Sequence, residues 1–272
     1  MSSLMQILKK VIKYFFPGMG PALRRKVWIW RYKLLTKKII KEQGLTVAKG
    51  PFTGMAYIPM GLGIRVIPKL IGSYEEELRD VISSLLSYDF KVVINIGCSE
   101  GYYAVGMARS LPDATIFAFD SDLKSRFECL KMAVKNKVDK RIIIGGFCNR
   151  SILSQLPLTN SLIICDCEGY EVELLDPQII PDLKKSFLLV ELHDCLNPLT
   201  SDIITKRFGD THKVSSFNMK RREASLFPSL DKLKPQEQYM ALDENRMGDE
   251  KTVGPQWLLL IPKKSNWVRN YL

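Results

Sequence analysis

The sequence predicts an α/β fold: a doubly wound, mostly parallel seven-stranded sheet with an N-terminal helical extension. Three observations carry this. From Val92 onward, short β-branched and aromatic runs alternate with helical stretches, and such alternation pairs strands in parallel through right-handed crossovers. The stretch "VVINIGCSEGYYAVGMA", residues 92–108, passes from strand to helix through a turn marked by Gly97 and Gly101. Two late apolar runs, separated by a long polar segment, raise the number of strands to seven.

The strands are expected at 91–96, 115–120, 141–145, 161–166 and 186–193, then at 212–217 and 256–262. Helices fall between the first five, at 101–110, 122–135, 151–155 and 168–175. Ahead of the sheet, "GSYEEELRDVISSLL" sets Ser73 and Glu76 at capping-box spacing, with Leu78, Val81, Ile82 and Leu85 as its apolar stripe. The preceding segment, 50–72, is rich in glycine and proline and reads as irregular structure, a short hairpin or a lid.

Charge divides the chain in two. The formal charge is +11, and residues 1–45 hold eleven Lys or Arg against the single acid Glu42. The remainder is close to neutral, so the sequence divides into a basic amphipathic arm over 1–45 and one domain over 46–272. In the arm, Leu4, Ile7, Leu8, Val11, Ile12 and Phe15 form one helical stripe that Pro17 and Gly18 end. A second helix is expected over 22–41, with Leu23, Val27, Trp30 and Leu34 on one face and Trp28, Tyr32, Leu35 and Ile39 beside it. Two readings of the arm stand, a helix lying in an anionic membrane surface and a helix packed on its own domain with a solvated basic face. Nucleic acid is the weaker third partner, because no aromatic stacking motif accompanies the basic residues.

No window reaches the roughly 18 uncharged apolar residues of a spanning helix, and lysines interrupt any signal-peptide core. The six cysteines, all between Cys98 and Cys195, are therefore expected as free buried thiols in a reducing, cytoplasmic setting, with peripheral membrane attachment through the arm left open. Cys165, Cys167, Cys195 and His193 do not make a zinc motif, because C-x-C inside a strand lacks the looped spacing such sites use.

The glycine turn points to a bound nucleotide. In doubly wound sheets, ligands lie outside the carboxyl ends of the strands, nearest the first strand-to-helix turn, and glycines there allow a tight bend and the close approach of a ligand. Asp120 ends "ATIFAFD" 23 residues after Gly97, suited to accepting hydrogen bonds from two ribose hydroxyls. A dinucleotide fingerprint requires glycine at 99 and 102, where the chain has Ser99 and Tyr102. The G-x-x-x-G spacing fits an S-adenosylmethionine (SAM) loop instead, with backbone N–H groups free to face the methionine carboxylate.

With these motifs, "IFAFDSD", "LIICDCEGYEVELLDP" and "FLLVELHD" resemble successive motifs of the class I SAM-dependent methyltransferases, and the D-x-E-G-x-E pattern is similar to the FkbM-type subgroup. The resemblance covers roughly residues 50–262. It implies the Rossmann-like methyltransferase fold, SAM as cofactor, and O-methylation of a saccharide, lipid-linked glycan or secondary metabolite. Asn95, Gly97, Cys98, Ser99, Gly101, Tyr102, Asp120, Ser121, Phe147, Cys148 and Asp166 are the expected cofactor residues. Two departures stand out: Asn95 occupies a position where many methyltransferases carry an acid, and Ser99 replaces a common middle glycine.

Methyl transfer needs an aligned acceptor oxygen and a group to take its proton. Strands four and five end in "CDCEGYE" and "ELHD", which bring Asp166, Glu191 and His193 forward as catalytic residues. His193 can serve as general base; alternatively the carboxylates hold Mg²⁺ and orient the acceptor. Tyr74, Glu75, Glu168, Asp194, Glu244 and Arg246 are candidates for the acceptor side. A plainer reading leaves Glu168, Glu171 and Glu173 facing solvent. Two other functions remain open: methylation of RNA ribose, and a non-catalytic membrane-associated protein that keeps the fold.

Overall fold

A computed structural model describes residues 20–59, 65–194, 196–197, 199–220, 222–244 and 257–265. The expected N-terminal stripe from Leu4 to Phe15, Cys195 and Arg246 lie outside these residues. Helix α1 (Gly20–Gln43) comes first, then α2 (Val66–Ile71) and α3 (Arg79–Leu86). The alternating body follows as β1 (Val92–Ile96), α4 (Tyr102–Ser110), β2 (Thr115–Phe119), α5 (Leu123–Lys135), β3 (Ile142–Gly145) and α6 (Arg150–Leu153). It continues with β4 (Leu162–Cys165), α7 (Glu171–Leu174), β5 (Phe187–Glu191), α8 (Thr200–Phe208), β6 (His212–Phe217), α9 (Pro235–Leu242) and β7 (Trp257–Pro262).

The seven strands form one sheet in the order β3-β2-β1-β4-β5-β7-β6. The strands from β1 to β5 pair in parallel, and β7 lies antiparallel between β5 and β6. This is the doubly wound, mostly parallel seven-stranded fold the sequence predicts. Strand order reverses between β1 and β4, which opens a crevice above their carboxyl ends.

Both faces of the sheet are covered, which is why its strands read as continuous apolar runs. Val93, Leu162, Ile164, Phe187, Leu189 and Trp257 face one core, packed with Val81 and Leu85 of α3, Ala104 and Met107 of α4 and Met132 of α5. Alternate residues, Ile94, Ile96, Ile163, Cys165, Leu188 and Val190, face a second core with Leu153 of α6, Leu174 of α7 and Ile204 and Phe208 of α8. The two-residue period of a strand assigns these sides.

Two local expectations are corrected. The helix before the sheet keeps its buried stripe of Leu78, Val81, Ile82 and Leu85 but not its capping box. A 3₁₀ turn over Glu76–Leu78 precedes α3, no side chain caps either element, and the Glu76 carboxylate binds Arg79 instead. The segment 50–72 is not wholly irregular. It holds a turn closed by one antiparallel bridge, Thr46 with Ala56, and then α2, whose six residues are all buried. Pro68 obscured this helix in the sequence, but it sits in the first turn, where no N–H donor is required.

Helix α1 buries Tyr32, Leu35 and Ile39 in a third apolar cluster with Ile67 and Ile71 of α2, Phe227, Leu230 and Met240. The Tyr32 hydroxyl accepts a hydrogen bond from the Ile67 N–H at 3.3 Å. Among the described residues, no helix is long and apolar enough to cross a membrane.

Candidate active site

A cavity of about 260 Å³ opens at the switch point between β1 and β4. Its walls include Gly97 and Ser99 after β1, Asp120 and Ser121 after β2, Phe147 and Cys148 after β3, and Asp166 and Glu168 after β4. Seven of these eight were expected around a cofactor, and Glu168 was expected on the acceptor side.

The glycine loop has a different reason from the one its sequence suggests. Gly97 and Gly101 have φ of +78° and +92°, so each supplies a turn that side chains resist. However, a Cβ on Gly97 would lie 1.6 Å from the carbonyl oxygen of Asp166, and one on Gly101 would lie 2.7 Å from the Cys129 sulfur. The space these glycines leave is filled by the protein itself, not reserved for a ligand. Gly97→Ala should therefore destabilise the fold by about 1–3 kcal/mol, as overpacking does, measured as a lower urea midpoint at an unchanged m-value.

Asp120 is fixed by its own backbone surroundings. One carboxylate oxygen accepts from the Ser99 N–H at 2.8 Å and the other from the Asp122 N–H at 2.9 Å. Each oxygen retains a lone pair, so the carboxylate can still accept from two vicinal hydroxyls. Ser99 adopts φ of +48° without being glycine, so its N–H reaches Asp120 from a left-handed turn.

The loop is anchored from below by a buried ionic cluster that sequence reasoning missed. Glu100 accepts from the Tyr57 hydroxyl at 2.8 Å, from the Ser99 hydroxyl at 2.8 Å, and from the Lys69 ammonium of α2. Burial works to raise the Glu100 carboxyl, but the Lys69 charge and these hydrogen bonds outweigh it and hold the carboxyl down at about 2. The Lys69 ammonium also lies over the Tyr74 ring, 4.7 Å from its centroid.

The catalytic candidates gather at the ends of β4 and β5. Asp166, Glu191 and His193 each offer one ligating atom, all within 4.8 Å of one another. His193 is held through Nδ1, which lies 2.8 Å from an oxygen of Glu171. A carboxylate only accepts, so Nδ1 carries the proton, and in the neutral ring Nε2 presents its lone pair. Nε2 faces Asp166 at 3.6 Å and Glu168 at 3.5 Å, both on the cavity wall.

Glu171 is buried rather than solvated, which corrects the plainer reading of that acid. Glu168 and Gly169, at φ of +55° and +101°, turn the chain sharply after β4. The Glu171 carboxylate then folds back onto the turn and accepts from the Cys167 and Gly169 N–H groups at 3.1 and 3.3 Å. A short helix that begins at Glu171, not at residue 168, makes this possible. Glu168 and Glu173 are exposed, as that reading had them.

Electrostatics follow from the geometry. Burial lowers the proton affinity of His193, but the Glu171 hydrogen bond and the charges of Glu171, Asp166 and Glu168 more than offset it, and the imidazole rests above its ordinary 6.5. Asp166 is pushed up to about 6, chiefly by burial, with the Glu75 charge adding to it and a hydrogen bond with Glu191 opposing it. Burial acts against the charged form of Glu171, and His193 overcomes it, leaving that carboxyl lowered.

The other expected residues lie apart from the cavity wall. Asn95 is buried on β1, its amide 3.5 Å from the Ile164 carbonyl. Cys98 points into the core beside Cys129, which holds its thiol high. Gly101 and Tyr102 begin α4 beneath the loop, with Tyr102 packed edge-on to Phe52 and Tyr74. Asp194 accepts from the Ser201 N–H at 2.9 Å and so caps α8. Tyr74 and Glu75 line a separate, smaller hollow with Tyr103, whose hydroxyl donates to Glu75. Glu244 accepts from the Glu75 N–H at 3.0 Å and pairs with Arg222 at 2.7 Å. Arg65, Cys167 and Tyr170 line the main cavity and were not anticipated. Arg65 comes from the segment read as irregular, and only the β4 pattern offered a signal for the other two.

No family model matches the chain, and no curated protein matches it. Among solved structures, the O-methyltransferase TomG from Streptomyces achromogenes in complex with SAM is similar at 14% identity, covering 54% of this chain and 81% of that one with a TM-score of 0.39. The C-terminal domain of precorrin-6Y C5,15-methyltransferase from Rhodobacter capsulatus is similar at 11% identity over 67% of this chain and 85% of that one, TM-score 0.42. Precorrin 8w decarboxylase from Methanobacterium thermoautotrophicum is similar at 16% identity over 54% and 79%, TM-score 0.41. Likenesses of this grade assign no activity to the chain.

Proposed function

We propose that the chain is a SAM-dependent O-methyltransferase of FkbM type, acting on a hydroxyl of a small-molecule, saccharide or lipid-linked glycan acceptor. The observation that carries this reading is the continuity of one cavity from the ribose-ready carboxylate of Asp120 to Asp166 and Glu168, with His193 Nε2 3.6 and 3.5 Å from the last two. When bound, SAM supplies a methyl group on a positively charged sulfur, which leaves as the neutral thioether. Asp120 holds the ribose, and Phe147 and Cys148 border the base. Asp166, Glu168 and Glu191 surround the acceptor with negative charge near the sulfonium. His193 Nε2 takes the hydroxyl proton as the oxygen–carbon bond forms.

A divalent cation on Asp166, Glu191 and His193 is the second reading, supported by the mutual 4.8 Å spacing of their ligating atoms. Mg²⁺ prefers an all-oxygen shell with several waters, and a cation on Nε2 would occupy the lone pair that accepts the proton. Turnover that survives EDTA is the expected result. Ribose of RNA is not favoured as acceptor, because among the described residues the cavity wall carries the acids Asp120, Asp166 and Glu168 against the one base Arg65.

Calorimetric titration with SAM tests the assignment. Saturable binding is expected, and Asp120→Ala should weaken it roughly 10- to 100-fold, the loss of hydrogen bonds to a charged acceptor. Absence of heat at millimolar SAM would sink the proposal.

A further inference from the structure

We infer that α1 is a lipid-surface helix that seats the protein on an anionic membrane interface. The helix buries one face and exposes another that is also apolar. Tyr32, Leu35 and Ile39 are at most 4% exposed, whereas Leu23, Val27, Trp30 and Leu34 are 37%, 42%, 61% and 46% exposed. The four exposed residues fall at i, i+4, i+7 and i+11, so at 3.6 residues per turn they form a straight stripe along more than three turns. Among the described residues nothing covers this line of one Trp, one Val and two Leu, and contiguous apolar surface of this kind marks an interaction site.

Charge decides the occupant. On the helical wheel, Lys26, Lys33 and Lys37 border one side of the stripe, Arg31 and Lys38 border the other, and all five are exposed. Glu42 is the only acid in the helix. A protein groove or a second copy of this helix would meet a cationic rim on both sides. A bilayer with anionic headgroups meets both features together: the stripe enters the acyl boundary while the flanking lysines bend outward to the phosphates. Each basic side chain near such a surface strengthens binding roughly fivefold. The buried face fixes α1 to α2 and α9, so the helix would dock as a rigid part of the fold and not as a tether.

A second exposed stripe of the same spacing, Leu123, Phe127, Leu130 and Val134 on α5, provides an internal control. Its flanking bases are engaged within the protein: Arg126, at the place Lys26 holds on α1, donates to the Asp120 and Ser121 carbonyls, and Lys131, at the place of Arg31, lies over Phe127 and pairs with Glu128.

The test is co-sedimentation of the full chain with vesicles of phosphatidylcholine alone or mixed with phosphatidylserine. Binding to the mixed vesicles is expected, with at least roughly tenfold weaker binding to the neutral ones. The joint change Val27→Ser, Trp30→Ser and Leu34→Ser lies at exposed positions and should leave the unfolding midpoint in place while lowering vesicle affinity about tenfold or more. Lys26→Gln, Lys33→Gln and Lys37→Gln together should do the same with less apolar change, which keeps the test valid if the first variant misfolds. Leu123→Ser with Leu130→Ser should not alter binding. If the apolar variant folds and sediments like the parent, or if only the α5 change matters, the inference is overturned. Loss with the charge variant but not the apolar one would indicate a polyanion such as RNA and would equally overturn it. The experiment requires no methyl transfer, so it stands or falls separately from the catalytic assignment.

Discussion

His193→Ala should lower kcat by about 10²- to 10⁴-fold, the usual contribution of a positioned base, while calorimetry finds SAM affinity nearly unchanged. The split is expected because His193 Nε2 lies beside Asp166 and Glu168, at the acceptor end, and is not among the residues lining the cavity proposed for SAM. The parent's rate should also rise with pH through a midpoint above 6.5. His193 must be neutral to accept a proton, and its surroundings raise its affinity for one. The same shift has a sign for stability: protonation of His193 in the folded state stabilises it fully below 6.5, and that contribution is lost as pH rises through the raised folded value. Glu171→Gln keeps an acceptor for the Nδ1 proton but removes the adjacent charge, so the rising limb of the rate profile should move to lower pH. A Glu171 that merely closed the turn over Cys167 and Gly169 would leave that limb in place.

The second large effect is on stability. Lys69→Met should destabilise the fold by about 3–5 kcal/mol, because it strands Glu100 as an unpaired buried charge. Lys69 and Glu100 are 6% and 4% exposed, so solvent does little to soften the loss. Adding Glu100→Gln to Lys69→Met should restore much of it, since the remaining amide is neutral. The pH dependence separates this from simple loss of packing. In the parent, Glu100 is held at about 2 against an ordinary 4.5, so its contribution is complete above 4.5 and is lost as pH falls toward 2. Without Lys69, burial is opposed only by the Tyr57, Ser99 and backbone hydrogen bonds, so the carboxyl should rise and mild acid should stabilise the single variant relative to neutral pH. Chemical denaturation of the parent, single and double variants between pH 4 and 7 would check this; a single variant that loses less than about 1 kcal/mol would contradict it.

The sheet was legible because its signals are local and repeated. Each strand is a short apolar run, each crossover begins or ends with a turn residue, and Gly97 and Asp120 fall where β1 and β2 stop. The helix α2 was hidden because Pro68 and the flanking glycines imitate a loop, while what makes it helical is burial of all six residues. The ionic anchor was hidden for another reason: Lys69, Tyr57 and Glu100 are far apart in sequence and meet only when α2 folds under the glycine loop. Glu171 misled in the opposite sense. An acid opening a short helix normally faces water, and only the left-handed pair Glu168 and Gly169 sends it inward toward His193. Asp194, beside His193 in sequence, was drawn to the site by that adjacency, yet its carboxylate is occupied by the Ser201 N–H.

The contact between Gly97 and the Asp166 carbonyl has a consequence for how such a chain could acquire new acceptors. The glycine loop after β1 and the end of β4 meet backbone to backbone with no room for even a methyl group. Neither half can drift without moving the other. Divergence toward a different acceptor must therefore leave this seam untouched and proceed in the outer segments, where insertions and swaps can reshape the entrance while the reacting centre keeps its registration.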